Sequence, residues 1–283
     1  MKTVILFNEK ANNGNGRATA EKLAELLKVE SIEYVDVTKL SSYEGFFNSL
    51  SEDDKLYLCG GDGTLNRFAN AVDGLEIKND VYYYAAGSGN DFYHDVSDGK
   101  AEVEPVKINE YIVNLPTVTV KGKSYKFLNG VGYGIDGYCC EVGDRIRETS
   151  DKPINYTSIA IKGLLFHYKP TNAVITVDGK EYSFRKVWLA PTMNGRFYGG
   201  GMMPTPDQKR ISDDKRLSVM IMSGSGKLPT LIAFPSIFEG KHVDKKMTTV
   251  LSGKNIKVRF DRPTALQIDG ETILGVTEYE ATV

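Results

Sequence analysis

The N-terminal part of the chain alternates between two hydrophobic patterns. Short runs of consecutive apolar residues predict buried β-strands. They lie at Thr3–Phe7, Glu33–Val37, Lys55–Cys59 and Val81–Ala85. Between these runs, apolar residues recur at the three- and four-residue spacing of a single helix face, as at Ala20, Leu23, Ala24 and Leu27. Strands that alternate with amphipathic helices predict βαβ units, and therefore a mostly parallel sheet with helices on both faces: a three-layer αβα domain.

The pattern changes after about residue 104, where short β-rich runs separated by turn signals follow one another. These runs lie at Ile112–Val120, Tyr125–Gly130, Ala173–Val177, Tyr182–Leu189, Leu217–Met222, Asn255–Phe260, Ala265–Ile268 and Tyr279–Val283. Helical spacing returns only at Asn155–Phe166 and Leu228–Glu239. The turn at Asp178-Gly179 predicts a hairpin. We therefore expect an α/β domain over 1–104 and an antiparallel β-sandwich domain over 105–283. This pattern leaves open whether the last strand packs back on the first domain.

Composition narrows the class of protein. The 283 residues include 35 basic and 37 acidic side chains, so a basic nucleic-acid binder is not expected. The longest charge-free stretch, Leu228–Phe238, is too short to span a bilayer, and no signal-peptide pattern opens the chain. The three cysteines cannot form a disulfide framework. We expect a cytoplasmic protein that binds no nucleic acid and has no transmembrane segment.

A glycine-rich turn follows the third predicted strand and opens an amphipathic helix. It consists of Gly60, Gly61, Asp62, Gly63 and Thr64. Backbone N–H groups at a helix N-terminus attract anions, and glycine lets the backbone approach phosphate oxygens. The Asp62 carboxylate would repel phosphate unless Mg²⁺ bridges the two, so we expect Asp62 to organise this metal. Thr64 either caps the helix or binds a phosphate oxygen. The alternative is a tight turn without a ligand.

Two further loops follow strands of the same predicted sheet. Gly87, Ser88, Asn90 and Asp91 come directly after Val81–Ala85, and the polar stretch from Asn8 to Gly16 follows the first strand. The carboxyl ends of parallel strands meet at one edge, where open α/β sheets bind ligands. The sequence therefore predicts a phosphate site at this edge. The Walker A and GxGxxG patterns are absent, and no Cys/His cluster indicates zinc. The alternative is that these two loops only cap the following helices and bind no ligand.

These motifs together resemble the diacylglycerol kinase catalytic family, which includes bacterial lipid kinases and sphingosine kinases and is related in fold to NAD kinases. The Gly60–Thr64 turn followed by Leu65-Asn66 matches the family's nucleotide-phosphate loop, and Gly87…Asn90-Asp91-Phe92 matches its Gly-Thr-x-Asn-Asp-Phe segment with Ser88 in place of Thr. The resemblance extends into the second domain. Matching stretches there begin at Asn129, at Asn194 and at Gln267, the last with Asp269-Gly270-Glu271.

The resemblance implies an ATP-dependent lipid kinase that phosphorylates a hydroxyl such as that of diacylglycerol, with ATP and Mg²⁺ in an interdomain cleft. It implies that Asp269 is the general base and that Glu271 is the next candidate, on the nucleotide side. It also implies a structural Mg²⁺ loop containing Asp214 and Leu217, although Lys215 stands where the family has Gly and Ser218 where it has a second Asp. Asp136 is interpreted as a structural cap.

Two other functions stay open at this point. NAD kinases share the Gly60–Thr64 type of turn and the two-domain plan, but their acceptor is a soluble dinucleotide. A non-catalytic nucleotide-binding protein of the same fold is the other alternative. A lipid substrate implies contact with the membrane surface, peripheral at the inner face, and the helix at Asn155–Phe166 either flanks an acyl-chain pocket or faces the core. A homodimer is left open.

Overall fold

The computed structural model describes residues 2–29, 31–97, 102–150 and 154–283. The chain forms two compact units, Met1–Leu115 and Pro116–Val283. The boundary lies beyond residue 104 because the short strand Val106–Lys107 pairs with Val81–Ala85 of the first unit. Confirming the fold expected from the sequence, the first unit is a mixed sheet with helices and the second is an antiparallel sheet domain.

The described part of the first unit holds one five-stranded sheet in the order β2-β1-β3-β4-β5. Its strands are β1 (Thr3–Phe7), β2 (Ile32–Asp36), β3 (Lys55–Gly60), β4 (Val81–Ala85) and β5 (Val106–Lys107). Its helices are α1 (Ala11–Gly14), α2 (Gly16–Leu27), a 3₁₀ turn (Val37–Lys39), α3 (Tyr43–Asn48), α4 (Asp62–Ala71), α5 (Asp91–Val96) and α6 (Asn109–Ile112). The first four strands are parallel, and β5 runs antiparallel to β4.

The second unit is built from antiparallel strands that bury one large core. The strands are β6 (Thr117–Val120), β7 (Lys123–Lys126), β8 (Gly130–Tyr133), β9 (Thr171–Val177), β10 (Lys180–Val187), β11 (Thr192–Met193), β12 (Leu217–Met222), β13 (Thr248–Gly253), β14 (Asn255–Ile268) and β15 (Glu271–Thr282). The last strand, β15, pairs with β14 and β6 of the same unit.

Helices of the second unit cover part of this sheet. They are α7 (Ile135–Arg147), α8 (Tyr156–Lys162) with a π-helical continuation (Gly163–His167), α9 (Lys227–Ala233) and two 3₁₀ turns (Phe234–Ile237 and Lys241–Asp244). The helices predicted at Asn155–Phe166 and Leu228–Glu239 are therefore present, each with a change of helix type near its end. Helix α7 was not expected from the sequence.

Two predicted strands have different bounds in the structure. The run Ile112–Val120 is divided: Ile112 ends α6, and only Thr117–Val120 is strand. Asn114 adopts a left-handed backbone there, and Pro116 has no N–H to give to a ladder. Conversely, Asn255–Phe260 and Ala265–Ile268 form one long strand, β14, which accommodates Pro263 by a register shift between Arg259 and Thr264.

Candidate active site

The sheet register brings the predicted loops of the first unit to one edge. Phe7 of β1 is level with Cys59 of β3, and Gly60 of β3 is level with Ala85 of β4. The loops that begin at Asn8, Gly61 and Gly87 therefore leave neighbouring parallel strands at the same end. The parallel order that the hydrophobic pattern predicts is what aligns them.

The two glycine-rich loops are in backbone contact. A Cβ atom on Gly87 would lie 2.7 Å from the Cα atom of Gly61, which no side chain tolerates. The Ala86 N–H also donates to the Gly60 carbonyl over 2.8 Å. Glycine at both positions is therefore required by close approach of one loop to the other.

Asp62, in the loop after β3, accepts hydrogen bonds from the residues that follow the loop after β4. It is the first residue of α4, and its carboxylate accepts hydrogen bonds from the N–H groups of Asp91 (3.0 Å, to Oδ2) and Phe92 (2.9 Å, to Oδ1). These donors are the first two residues of α5, so Asp62 satisfies N–H groups that a helix start leaves without partners. The Asp62 carboxylate has a structural task that the sequence did not reveal.

Asn90 stabilises the second glycine-rich loop, which begins at Gly87, by a hydrogen bond inside that loop. Its backbone is left-handed, with φ of +54°, and its side-chain Oδ1 accepts from the Gly87 N–H over 2.9 Å. Asp91 follows it, buried in the first turn of α5, whereas Ser88 is exposed. In the first loop, Gly63 is exposed with open space beside it, and Thr64 is buried with its side chain against Gly60.

The Asn8 loop differs from the other two. Asn8 Oδ1 accepts from the Lys10 N–H over 2.9 Å, and the Asn8 carbonyl accepts from Ala11. A Cβ atom on Gly16 would lie 1.9 Å from that carbonyl oxygen, so α2 begins in direct contact with the loop. The Asn8 side chain is partly exposed at the same edge of the sheet.

In the second unit, Asp269 and Gly270 form the two-residue turn that joins β14 to β15. Ile268 pairs with Glu271, and both turn residues have positive φ, +46° and +94°. This is the turn geometry that Asp-Gly favours in hairpins. Glu271 is exposed as the first residue of β15.

The Asp269 carboxylate folds back onto a neighbouring segment. It accepts hydrogen bonds from the N–H groups of Leu128 (2.5 Å), Asn129 (2.8 Å) and Gly130 (2.9 Å). Burial raises the pKa of the Asp269 carboxyl above its usual value, while these three donors and the nearby Arg210 oppose the rise. Of its two oxygens, Oδ2 accepts one of these bonds and Oδ1 accepts two.

Arg210 was not singled out from the sequence, where it lies in a charge-rich stretch. In the structure it is buried, and its guanidinium donates to the Leu128 carbonyl (2.6 Å) and to Asn129 Oδ1 (2.5 Å). It holds the segment that Asp269 contacts. A single arginine among other charged residues carries no sequence signal for such a role.

Asp136 also differs from the cap that the sequence suggests. It lies in the first turn of α7, is buried, and accepts a hydrogen bond from the Tyr198 hydroxyl over 2.5 Å. Burial raises the pKa of the Asp136 carboxyl to about 7. This pair joins α7 to the loop at Tyr198.

The surroundings of Asp214 do not fit a divalent cation. Its Oδ1 lies 2.8 Å from the Lys254 ammonium, and its Oδ2 accepts from Arg216 Nε over 2.6 Å. These two cations hold the pKa of the Asp214 carboxyl below its usual value. Leu217 is fully buried, and Ser218 donates to Gln208 Oε1 over 2.6 Å. The ion pairs with Lys254 and Arg216 and the hydrogen bond from the Ser218 hydroxyl therefore order this loop.

Comparison with known proteins identifies the domain type of each part of the chain. The family model described as the diacylglycerol kinase catalytic domain matches residues 2–120, and the one described as the YegS C-terminal NAD kinase beta sandwich-like domain matches residues 129–281. The second model covers more than half of the chain, so the chain belongs to the family that carries this YegS-type C-terminal domain, and its N-terminal part matches the diacylglycerol kinase catalytic domain. The resemblance seen in the sequence motifs is thereby confirmed, and the two matched ranges follow one another along the chain.

Individual relatives of this family are distant in sequence. A protein named diacylglycerol kinase from Mycobacterium tuberculosis (strain ATCC 25618 / H37Rv) is 25% identical over 72% of this chain and 66% of its own length. The candidate lipid kinase YtlR of Bacillus subtilis (strain 168) is 24% identical over 80% of this chain and 76% of its own length. A crystal structure titled as a diacylglycerol kinase from Bacillus anthracis str. Sterne has a TM-score of 0.58 and 19% identity, covering 99% of this chain and 93% of that one, and shares the fold.

Proposed function

We propose that this protein transfers the γ-phosphoryl group of ATP to a lipid hydroxyl such as that of diacylglycerol. The observation that carries the proposal is the contact of the two glycine-rich loops at the ends of β3 and β4, with the start of α4 beside them. Phosphoryl transfer depends mainly on positioning and on charge neutralisation, which such loops supply.

The first unit carries the groups proposed for the nucleotide. The first turn of α4 offers backbone N–H groups to phosphate oxygens, and the open space beside Gly63 leaves room for them. Asn8, Gly60, Gly61, Thr64, Gly87, Ser88, Asn90 and Asp91 complete the proposed nucleotide side. ATP, when bound, supplies the phosphoryl group. The protein's part is to fix the phosphates and to keep the loops in register.

Asp62 is the residue proposed to meet Mg²⁺. Each of its oxygens accepts one backbone N–H, and carboxylate oxygens are ligands that Mg²⁺ takes in proteins. The side chain is partly exposed, so it fits a cation that arrives with the nucleotide. Among the described residues, no cluster of three or more His, Cys, Asp or Glu side chains could hold a metal ion by itself. This favours a metal bound mainly through phosphate oxygens.

Asp269 of the second unit is the proposed general base. Its Oδ2 has one acceptor site beyond the bond from Leu128, and burial makes the carboxylate a better proton acceptor than a solvated one. Glu271, exposed at the start of β15, is proposed for the nucleotide side and is the second candidate for the base.

Labelled ATP tests the proposal directly. The purified protein is incubated with γ-³²P-ATP and Mg²⁺ in three arms: diacylglycerol in detergent micelles, extracted membrane lipids, and NAD. We expect label in the lipid phase. Label in NAD alone would favour the dinucleotide acceptor, and ATP binding without transfer to any acceptor would favour a non-catalytic nucleotide-binding protein.

Two glycine variants test the nucleotide site separately from the fold. Gly63→Ala adds a methyl group where only a ligand would meet it, so we expect a melting temperature that does not fall and weaker ATP binding by calorimetry, by about tenfold or more, the equivalent of one hydrogen bond to a charged group. Gly45→Ala in α3 is the matched control, because its methyl group makes only ordinary contact with Ser42. Equal ATP affinity in the two variants would contradict the site.

A further inference from the structure

Two helical segments of the second unit lie side by side over one core. Helix α8 with its π-helical continuation buries Ile159 and Leu164, and α9 with the following 3₁₀ turn buries Phe234 and Ile237, all in a single hydrophobic cluster. The Lys227 ammonium at the start of α9 donates to the Leu165 carbonyl over 2.7 Å. The outer sides of both segments therefore belong to one surface.

That surface exposes large apolar side chains. Phe166 and Ile232 are each 72% exposed and Leu228 is 63% exposed, and Ile161 lies on the same helical segment with an exposed side chain. Exposed apolar residues are ordinary when scattered, but four of them on two contacting segments form a patch of the kind that marks an interaction site. We call these four residues the apolar patch.

The π-helical turn helps to form the patch. The Tyr168 N–H donates to the Gly163 carbonyl over 2.8 Å, one residue further along the chain than in an α-helix. The wider turn accommodates Leu164 in the core while Phe166, two residues later, faces outward. Such π-turns are rare and occur frequently at functional sites.

The charged side chains on the two segments that carry the patch have one sign. The sequence from Ile154 to Val177 and that from Leu217 to Phe238 contain no Asp or Glu. Lys162 and Lys169 are exposed, and within the part of the chain that the structure describes neither forms an ion pair. Apolar side chains flanked by lysines, with no acidic residue on the same segments, complement a surface that is hydrophobic below and negatively charged above.

We propose that the apolar patch, with Lys162 and Lys169, docks the protein on the surface of a bilayer that contains anionic lipid. This inference rests on the proposed function, because a kinase whose acceptor is a membrane lipid must meet its substrate at the bilayer. Apolar side chains enter the headgroup region, and the two ammonium groups remain at the phosphates. The described residues include no helix long and apolar enough to cross a membrane.

Vesicle sedimentation tests the docking surface without any assay of activity. The purified protein is mixed with vesicles of phosphatidylcholine alone or of equal parts phosphatidylcholine and phosphatidylglycerol. We expect binding to the mixed vesicles, weakened about a hundredfold in the double variant Phe166→Ser with Ile232→Ser, since two large side chains no longer leave water. Lys162→Gln with Lys169→Gln should weaken binding to mixed vesicles by roughly tenfold or more and leave binding to neutral vesicles unchanged.

Control variants and a second substrate distinguish a failure of the docking surface from a failure of the proposed kinase function. Leu26→Ser with Val113→Ser removes two exposed apolar side chains from the first unit and should leave vesicle binding unchanged. The Phe166/Ile232 variant should keep its rate on a short-chain, water-soluble diacylglycerol and lose it only on vesicles. If the wild-type protein phosphorylates no lipid, the proposed function fails while vesicle binding still reports on the surface.

Two results would overturn the docking surface. One is binding of the Phe166/Ile232 variant to mixed vesicles as tightly as the wild type. The other is a concentration-dependent dimer in analytical ultracentrifugation that this variant abolishes, because the patch would then be an interface between copies of the chain.

Discussion

Asp178 and Asp269 occupy the same position in two hairpin turns of the second unit. Both have φ near +46°, at +47° and +46°, and each is followed by a glycine. Both carboxylates also accept backbone hydrogen bonds: Asp178 Oδ1 accepts from Lys254 and Asn255, as Asp269 accepts from the Leu128–Gly130 segment. The same turn and the same type of hydrogen bond thus occur twice. Asp178 is exposed and Asp269 is partly buried, and only Asp269 is proposed for catalysis.

This pair gives a matched test of the base. In Asp269→Asn an amide NH₂ replaces an oxygen that accepts an N–H, so we expect this variant to lose stability by about 1–3 kcal/mol. Asp178→Asn can keep both of its hydrogen bonds on the remaining oxygen, so its stability should change little. Only Asp269→Asn should also lower turnover, by about 10²–10⁴-fold with little change in ATP affinity. Comparable turnover in the two variants, measured when transfer is rate-limiting, would assign Asp269 to structure alone.

At the scale of elements, the first unit depends on contacts between segments that follow different strands. Helix α4 begins after β3 and α5 begins after β4, and Asp62 of the first accepts from the N-terminal backbone of the second. The loops are thereby fixed relative to each other before any ligand binds. Such preorganisation lowers the ordering cost of binding.

Asp62→Asn tests this link between α4 and α5. The amide keeps one acceptor and turns a donor toward the second N–H, so the melting temperature should fall in the absence of nucleotide and metal, by the equivalent of about 1–3 kcal/mol. Asp53→Asn, at an exposed position of the same unit, should leave it unchanged. An unchanged melting temperature for Asp62→Asn together with lost Mg²⁺ dependence would instead indicate a metal ligand with no structural task.

Helix α7 shows how contact between elements overrides local preference. Gly137 lies within it, and a Cβ atom there would be 1.9 Å from the Ala265 carbonyl oxygen of β14. Gly143 likewise lies against the Tyr156 ring of α8. Glycine disfavours helix in isolation, but here it lets the helix approach the strand closely.

Gly137→Ala should therefore lower the free energy of unfolding, whereas a glycine-to-alanine change in a helix usually raises it. At an open helical site the change stabilises by roughly 0.5–1 kcal/mol, and Gly45→Ala in α3 should show this gain. Gly137→Ala should destabilise by about 1–3 kcal/mol, as overpacking does, in urea denaturation followed by circular dichroism. A gain in stability for Gly137→Ala would mean that α7 does not rest on β14.

For the whole molecule, the buried pair of Asp136 and Tyr198 makes stability depend on pH. The pKa of Asp136 is about 7 in the folded protein, against an ordinary value of 3.8. Between these values the folded state binds the proton and the unfolded state does not. The contribution of Asp136 to stability should therefore be greatest below the ordinary pKa and be lost as pH rises toward about 7, at up to about 1.4 kcal/mol per pH unit.

Asp136→Asn isolates this contribution. The amide still accepts a hydrogen bond from the Tyr198 hydroxyl but does not ionise, so the variant should lack this part of the pH dependence. We expect it to gain stability relative to the wild type as pH rises from about 4 to about 7, and to keep that gain above pH 7, in denaturation at a series of pH values. A constant difference between the two proteins across this range would mean that Asp136 is ionised in the fold.

The sequence by itself determined the order of elements in the first unit, the change to an antiparallel second unit, and the positions of the glycine-rich turns. These features follow from local properties. Apolar spacing differs between strand and helix, and positive φ at Asp178-Gly179 and Asp269-Gly270 suits the residues present. The alignment of the loops at one edge also follows, because parallel strands leave no other arrangement.

Only the tertiary structure decided which groups these residues meet. No sequence spacing indicates that Asp62 accepts from Asp91, that Arg210 is buried beside Asn129, or that the Asp214 carboxylate faces Lys254. Helix α7 was missed for the same reason, since the benefit of Gly137 lies in a strand more than a hundred positions away. Hydrogen bonds, burial and close packing between distant segments are set when the segments meet, and local preference does not encode them.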